Sequence, residues 1–455
     1  MSPATLPKVC LIGAGSSGIA AGKTLHERGI PFDCYELSDR VGGNWVWGNK
    51  NNVSSSYRSL HINTSRTRME YSDYPMPESY PDFPRHDQIA KYFDDYVDHF
   101  GFRDRIRFEI GVDRVERRGD GVFEVRISTG DTFEYDAVIV ANGHHWDPRW
   151  PEPAFPGNDS FQGEQMHSHY YRDESQLVGK DVVVVGMGNS AMDIAVDASY
   201  HAKTTYLSAR RGVHIVPKYI FGKPMDTIGG SERVPGPVRF AMFRRLVKAY
   251  VGDLTSYGLP APDHKLGQAH PTVSGRILDR LAHGAIMPKP NIDRLEGDQV
   301  VFTDGTSVHA DLVVYCTGYK IAFPFFDEGL VSAKDNQVRL YKFMFHPSVA
   351  GLYFLGLIQP LGAIMPIAER QSHLIARHLT GAYALPEQAE MERDIDRKLE
   401  AMRKRYVASK RHTIQVDYDD YMRELTKEME KGALRSASGA RVLAVEPRAA
   451  LEQAA

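Results

Sequence analysis

Two glycine-rich turns, Gly13-Ala14-Gly15-Ser16-Ser17-Gly18 and Gly186-Met187-Gly188-Asn189-Ser190-Ala191, constrain this chain more than any other feature. Each follows an apolar, β-favouring run, Val9-Cys10-Leu11-Ile12 in one case and Val182 through Val185 in the other. Each then opens a segment with helical spacing. A strand, a tight glycine turn and a helix together suit a dinucleotide pyrophosphate. The first glycine makes the turn, the second lets backbone N–H groups approach the phosphates, and the third small residue lets helix and strand pack closely. The helix N-terminus then faces the negative charge. Gly13, Gly15 and Gly18 are therefore candidate cofactor contacts, as are Gly186, Gly188, Asn189 and Ser190. Two dinucleotides are expected on one chain.

The residues closing each unit assign the ligands. The strand Phe32-Asp33-Cys34-Tyr35-Glu36 ends in a carboxylate placed to accept hydrogen bonds from two ribose hydroxyls, and Glu36 would repel a 2′-phosphate. The second unit closes with Thr205-Tyr206-Leu207-Ser208-Ala209-Arg210-Arg211, which lacks a carboxylate and offers two guanidiniums to a phosphate. FAD is expected in the first site. NADPH is expected in the second, with Ser208, Arg210 and Arg211 beside it. An arginine pair on a solvated surface is the plain alternative.

A chain of 455 residues can bury a sizeable core and divide into two or three domains. Its formal net charge of -3 gives no global electrostatic case for nucleic acid. Cys10, Cys34 and Cys316 are widely separated, with no Cys-x-x-Cys for a redox dithiol or half a zinc site, so no metal is expected. Met1 to Pro7 leaves no room for a signal peptide. No apolar run approaches the about 18 to 20 residues that cross a bilayer, so a cytoplasmic location without a membrane-spanning segment is expected.

Strand, helix and strand follow one another from Lys8 to Glu36, and the tight Val41-Gly42-Gly43-Asn44-Trp45 turn is expected against the first dinucleotide. Gly43 and Trp45 are candidate contacts, although an aromatic beside Gly-Gly is often core. Tyr57 to Thr67 is polar and irregular, and the four prolines between Tyr74 and Pro84 forbid regular structure. Apolar spacing at Ile89, Tyr92, Phe93, Tyr96 and Val97 predicts a helix over 86–100. A small antiparallel meander follows, leading to the buried strand Ala137-Val138-Ile139-Val140. Pro148 to Pro156 reads as a linker, with the second unit beginning near Gly179 and a basic helix near Val238 to Tyr250. A hairpin precedes Asp311 to Tyr319, which mirrors the strand at Ala137, and Pro386 to Tyr406 reads as a charged helix. The tail after Lys431 is expected to fray or to pack on a neighbour.

Between the glycine turns lies Phe161-Gln162-Gly163-Glu164-Gln165-Met166-His167-Ser168-His169-Tyr170-Tyr171. The pattern set by Phe161, Gly163, His167 and Tyr171 resembles the signature of the flavin-containing monooxygenases. Gly42-Gly43-Asn44-Trp45, Asn63 in Leu60-His61-Ile62-Asn63-Thr64, Cys316-Thr317-Gly318-Tyr319 and Gly356-Leu357-Ile358-Gln359-Pro360 agree with it over roughly residues 8–380. The resemblance implies an α/β fold of two Rossmann-like dinucleotide-binding domains, the NADPH domain inserted into the FAD domain. The expected boundaries are 1–172 and 291–432 for the FAD domain, 173–290 for the NADPH domain and 433–455 for a tail.

It also implies a reaction. NADPH reduces FAD, and reduced flavin reacts with O2 to form a C4a-hydroperoxide that oxygenates a nucleophilic nitrogen or sulfur of a small-molecule substrate. On this reading Asn63 is the catalytic residue, beside the flavin edge, with capping of a polar loop as its alternative. Gly318 and Gln359 belong to the cofactor region. His167 either bridges to the nicotinamide dinucleotide or makes a structural hydrogen bond between domains. A homodimer is suggested by likeness alone. Substrate access is expected from residues 57–84 and 221–290.

The missing dithiol argues against a flavoprotein disulfide reductase. Baeyer–Villiger oxygenation of a ketone and decarboxylating oxygenation of a 2-oxo acid share the cofactor chemistry, and Tyr171-Arg172 favours heteroatom oxygenation over the former. An NADPH oxidase or a non-catalytic redox sensor is the alternative of a different class.

Overall fold

The computed structural model describes residues 6–228, 236–406 and 413–447. The first apolar run forms strand β1 (Val9–Ile12), and the glycine turn leads through helix α1 (Ser16–Glu27) to β2 (Phe32–Tyr35). On the other flank of β1 lies β3 (Ala137–Val140). All four residues of β1 are buried because both faces of the sheet are covered. Val9 and Leu11 join an apolar cluster with Ala20 and Ile375, while Cys10 and Ile12 join another with Val115, Phe123 and Phe354. The complete sheet runs Leu352–Phe354, β3, β1, β2, Ile106–Arg107, with every pairing parallel.

The second unit repeats the plan with β4 (Asp181–Val185), helix α2 (Asn189–His201), β5 (Thr204–Ser208) and β6 (Leu312–Tyr315). Its sheet runs Met287–Lys289, β5, β4, β6, Glu164–His167, again parallel throughout. Val182 and Val184 pack toward α2, while Val183 and Val185 pack toward the antiparallel strands of 292–309.

Two features differ from the sequence expectation. The second sheet takes a strand well before Gly179, because Glu164–His167 pairs with β6 at the sheet edge. Its outer residues are polar and only Met166 and His167 are buried, so no apolar run announces it. In addition, β6 lies inside the second sheet, and the chain regains the first sheet only at Leu352–Phe354. Where the chain crosses between the sheets, Asp147–Pro148 and Tyr319–Lys320 pair antiparallel.

The helix His86–Phe100 buries Ile89, Tyr92, Phe93, Tyr96 and Val97, as their spacing requires, and the meander forms over 112–135. Helices also form over Gly236–Val251 and Gln388–Arg405. Past Lys431 the helix Tyr418–Ala437 continues to Ala437, held where the Arg435 guanidinium meets Glu428 and the Ala384 carbonyl, and 438–447 is irregular. Residues 448–455 of that tail lie outside the described residues. No helix among the described residues is long and apolar enough to cross a membrane.

Candidate dinucleotide and oxygenation site

Both glycine turns open onto one continuous cavity of about 1940 Å³. Gly13 adopts φ +99°, and a β-carbon there would stand 2.7 Å from the Ala141 carbonyl oxygen at the end of β3. Gly186 occupies the same seat in the second unit: φ is +126° and the built β-carbon lies 2.8 Å from the Cys316 carbonyl oxygen at the end of β6. Gly15 and Gly188 are the N-caps of α1 and α2, and neither helix start has a side-chain cap or an acidic residue in its first turn. The leading N–H groups of both helices are thus left for an anion. A β-carbon on Gly43 would come 3.1 Å from the Gly15 Cα, so the 42–45 turn lies flat against the first glycine turn. These bare backbones fit two pyrophosphates.

Gly18 serves differently. It does not line the cavity, and a β-carbon there would sit 1.9 Å from the Gly13 carbonyl oxygen. Its lack of a side chain lets α1 approach the turn.

Glu36 lines the cavity and staples the turn as well: one carboxylate oxygen accepts the Ala14 N–H at 2.6 Å and the other accepts the Ser38 N–H at 2.7 Å. Burial raises its pKa, and the two N–H bonds oppose that shift. Each oxygen keeps a lone pair for a ribose hydroxyl. In the second unit Ser208, Arg210 and Arg211 line the cavity. The Ser208 hydroxyl donates to the Pro290 carbonyl at 2.8 Å, and Asn189 Oδ1 accepts the Val273 N–H at 2.8 Å, so both side chains brace the turn. Ser190 lines the cavity too.

Asn63, Trp45, Gly318 and Gln359 face the same space, Gly318 with φ +87°. Asn63 sits in a turn held from both sides. The Lys218 ammonium donates to the Ile62 carbonyl at 3.0 Å, and the Ser65 N–H donates to Asp226 at 2.6 Å.

The motif residues Phe161, Gly163, His167 and Tyr171 do not line the cavity. They pack beneath it. A β-carbon on Gly163 would meet the Ala310 carbonyl oxygen at 2.5 Å, and Phe161 packs on the cluster around Val183. His167 is fully buried against Trp150 and Tyr319, and its Nδ1 accepts the His169 N–H at 3.1 Å. Burial pushes the His167 imidazole down to about 4, which keeps it neutral. Burial pushes the Cys316 thiol up to about 12, which suits an inert strand residue.

Asp193, Asp197 and Tyr57 escaped the sequence reading. Asp193 lines the cavity one turn into α2, and its Oδ2 accepts the Tyr57 hydroxyl at 2.6 Å. Burial pushes the Asp193 carboxyl up to about 6 and drives the Tyr57 phenol upward as well, so the phenol stays a donor. Two carboxylates at i and i+4 on an otherwise apolar helix were the available signal.

A model of the family described as flavin-binding monooxygenase-like matches residues 6–450. Flavin-containing monooxygenase 5 of Rattus norvegicus is 36% identical over 438 residues, covering 92% of this chain and 82% of that protein. Dimethylaniline monooxygenase [N-oxide-forming] 2 of Oryctolagus cuniculus is 35% identical over 444 residues, covering 93% and 82%. The structure of S-allyl-L-cysteine S-oxygenase from Allium sativum superposes with a TM-score of 0.70 at 28% identity, over 94% of this chain and 89% of that one. Cyclohexanone monooxygenase in its open form shares the fold, with a TM-score of 0.72 at 17% identity over 96% and 98%.

Proposed function

Because this chain belongs to the flavin-containing monooxygenase family, we propose that it oxygenates a nucleophilic nitrogen or sulfur atom of a small-molecule substrate with FAD, NADPH and O2. When bound, NADPH supplies hydride to FAD, and the reduced flavin activates O2. The observation that carries the heteroatom assignment is one cavity shared by both glycine turns and Asn63, joined to relatives named for N-oxide formation and S-oxygenation. A soft nucleophile attacks activated oxygen with little acid or base help, and Cys316 on the cavity wall, its thiol pushed up to about 12 by burial, has no second cysteine beside it to form a dithiol that diverts the electrons.

The chain's own residues bind, orient and exclude water. The uncapped starts of α1 and α2 hold the pyrophosphates, the first for FAD and the second for NADPH. Glu36 takes the FAD ribose, and Arg210 with Arg211 takes the 2′-phosphate of NADPH. Asn63 holds hydrogen bonds at the junction of the two ligands, a task suited to a neutral amide. Gly43, Trp45, Gly318 and Gln359 close the walls. Residues 164–315 form the NADPH unit, inserted between the two parts of the FAD unit.

Purified protein should be yellow, bleach with NADPH in the absence of air, and convert tertiary amines or sulfides to oxides in step with NADPH use. Hydrogen peroxide formed mole for mole with NADPH for every amine and sulfide offered would support an oxidase instead.

A further inference from the structure

The loop that carries Asn63 is strung between the two halves. On one side its backbone is tied to the start of the helix at His86: the Ile62 N–H donates to the Pro84 carbonyl at 3.1 Å, and the His86 N–H donates to Leu60 at 2.9 Å. On the other side, two of its hydroxyls reach α2, the helix whose first turn forms the second glycine site. Tyr57 donates to Asp193 at 2.6 Å and Ser59 donates to Asp197 at 2.5 Å. Tyr171 donates to the same Asp197 oxygen at 2.9 Å, and its ring lies 5.7 Å from that of Tyr57.

We propose that Asp193 and Asp197 are positioning residues for Asn63: by holding Tyr57 and Ser59 they fix the 57–65 loop to the helix that receives the second dinucleotide. The inference rests on the assignment of Asn63 to the oxygenation site. Its physical basis is rigidity. Asp193 and Asp197 stand one turn apart on α2, both half-buried, and α2 begins at the N–H groups that meet the pyrophosphate. A ligand that seats the start of α2 therefore seats both carboxylates. Hydrogen bonds to a carboxylate are among the stronger ones in a protein, and both of these are part-buried. The family motif acquires a purpose here: Tyr171 is the second hydroxyl, beside Ser59, that donates to Asp197.

Hydrogen exchange on the FAD-loaded enzyme tests this, with and without saturating NADP+. In the parent protein NADP+ slows exchange across 57–65. In the double variant Tyr57→Phe/Ser59→Ala, which keeps the buried ring, exchange with NADP+ present rises roughly tenfold over the parent. The fraction of NADPH that ends as product falls with it. Ser59→Thr, which restores a hydroxyl, behaves as the parent. Tyr57→Phe and Ser59→Ala are also made singly, and each lies between parent and double variant. Equal protection of 57–65 by NADP+ in parent and double variant overturns the proposal. Asn63→Ala separates the underlying assignment: unchanged product yield there removes Asn63 from the chemistry, while exchange across the loop still reports on Asp193 and Asp197.

Discussion

The Arg211 guanidinium lies 2.7 Å from the Asp263 carboxylate, whereas no described carboxylate lies within ion-pair distance of Arg210. Both arginines line the cavity. Arg211 therefore meets an incoming phosphate in competition with a carboxylate that Arg211 and His264 hold down at about 2. Arg210→Ala should raise the NADPH KM by about tenfold and leave the NADH KM within about twofold. Asp263→Asn should lower the NADPH KM. Equal losses for both coenzymes in Arg210→Ala would contradict the 2′-phosphate assignment.

Asn63→Ala should retain FAD, shown by an unchanged visible spectrum, and divert NADPH from product to hydrogen peroxide. The decisive measurement is the ratio of oxide to peroxide with a tertiary amine or sulfide. A ratio equal to that of the parent would argue for a loop-capping asparagine.

Gly18 and Gly29 form an informative pair. A β-carbon at Gly18 collides with the Gly13 carbonyl, but at Gly29 it meets nothing within 4 Å and only the φ of +66° opposes it. Gly18→Ala should cost about 3 kcal/mol or more and weaken FAD retention, because backbone must move. Gly29→Ala should cost about 1 kcal/mol and keep FAD. Comparable melting temperatures for the two variants would mean that α1 shifts away from the turn at little cost.

Asp193 gives a pH signature. Burial raises its carboxyl from 3.8 to about 6, with Tyr57, Lys218 and Arg276 favouring the charged form and Asp197 opposing it. Across that window the folded protein binds the proton more readily than the unfolded chain, so this group's contribution to stability falls as pH rises and is constant above it. Asp193→Asn lacks that fall. Its melting temperature relative to the parent should climb between pH 4 and pH 6.5. A constant difference would show that Asp193 titrates normally.

Much of this was legible in the sequence, for physical reasons. Val9–Ile12 and Asp181–Val185 are buried on both faces and read as apolar runs, and the helix over 86–100 shows its inner face as a 3.6-residue period. The glycines revealed themselves because backbone geometry admits nothing else. The edge strand Glu164–His167 did not, since half of it faces solvent and its burial depends on β6, far along the chain. The carboxylates of α2 stayed hidden for a related reason. Asp193 acquires meaning only from Tyr57, 136 residues earlier, and no local pattern records that meeting.

Gly13 against Ala141 and Gly186 against Cys316 are the same joint made twice. One polypeptide thus carries its own matched pair of trials. An alanine placed in either seat subjects the same carbonyl collision to a different ligand, so loss of yellow colour in one and loss of nicotinamide coenzyme binding in the other would separate what each half contributes to a turnover.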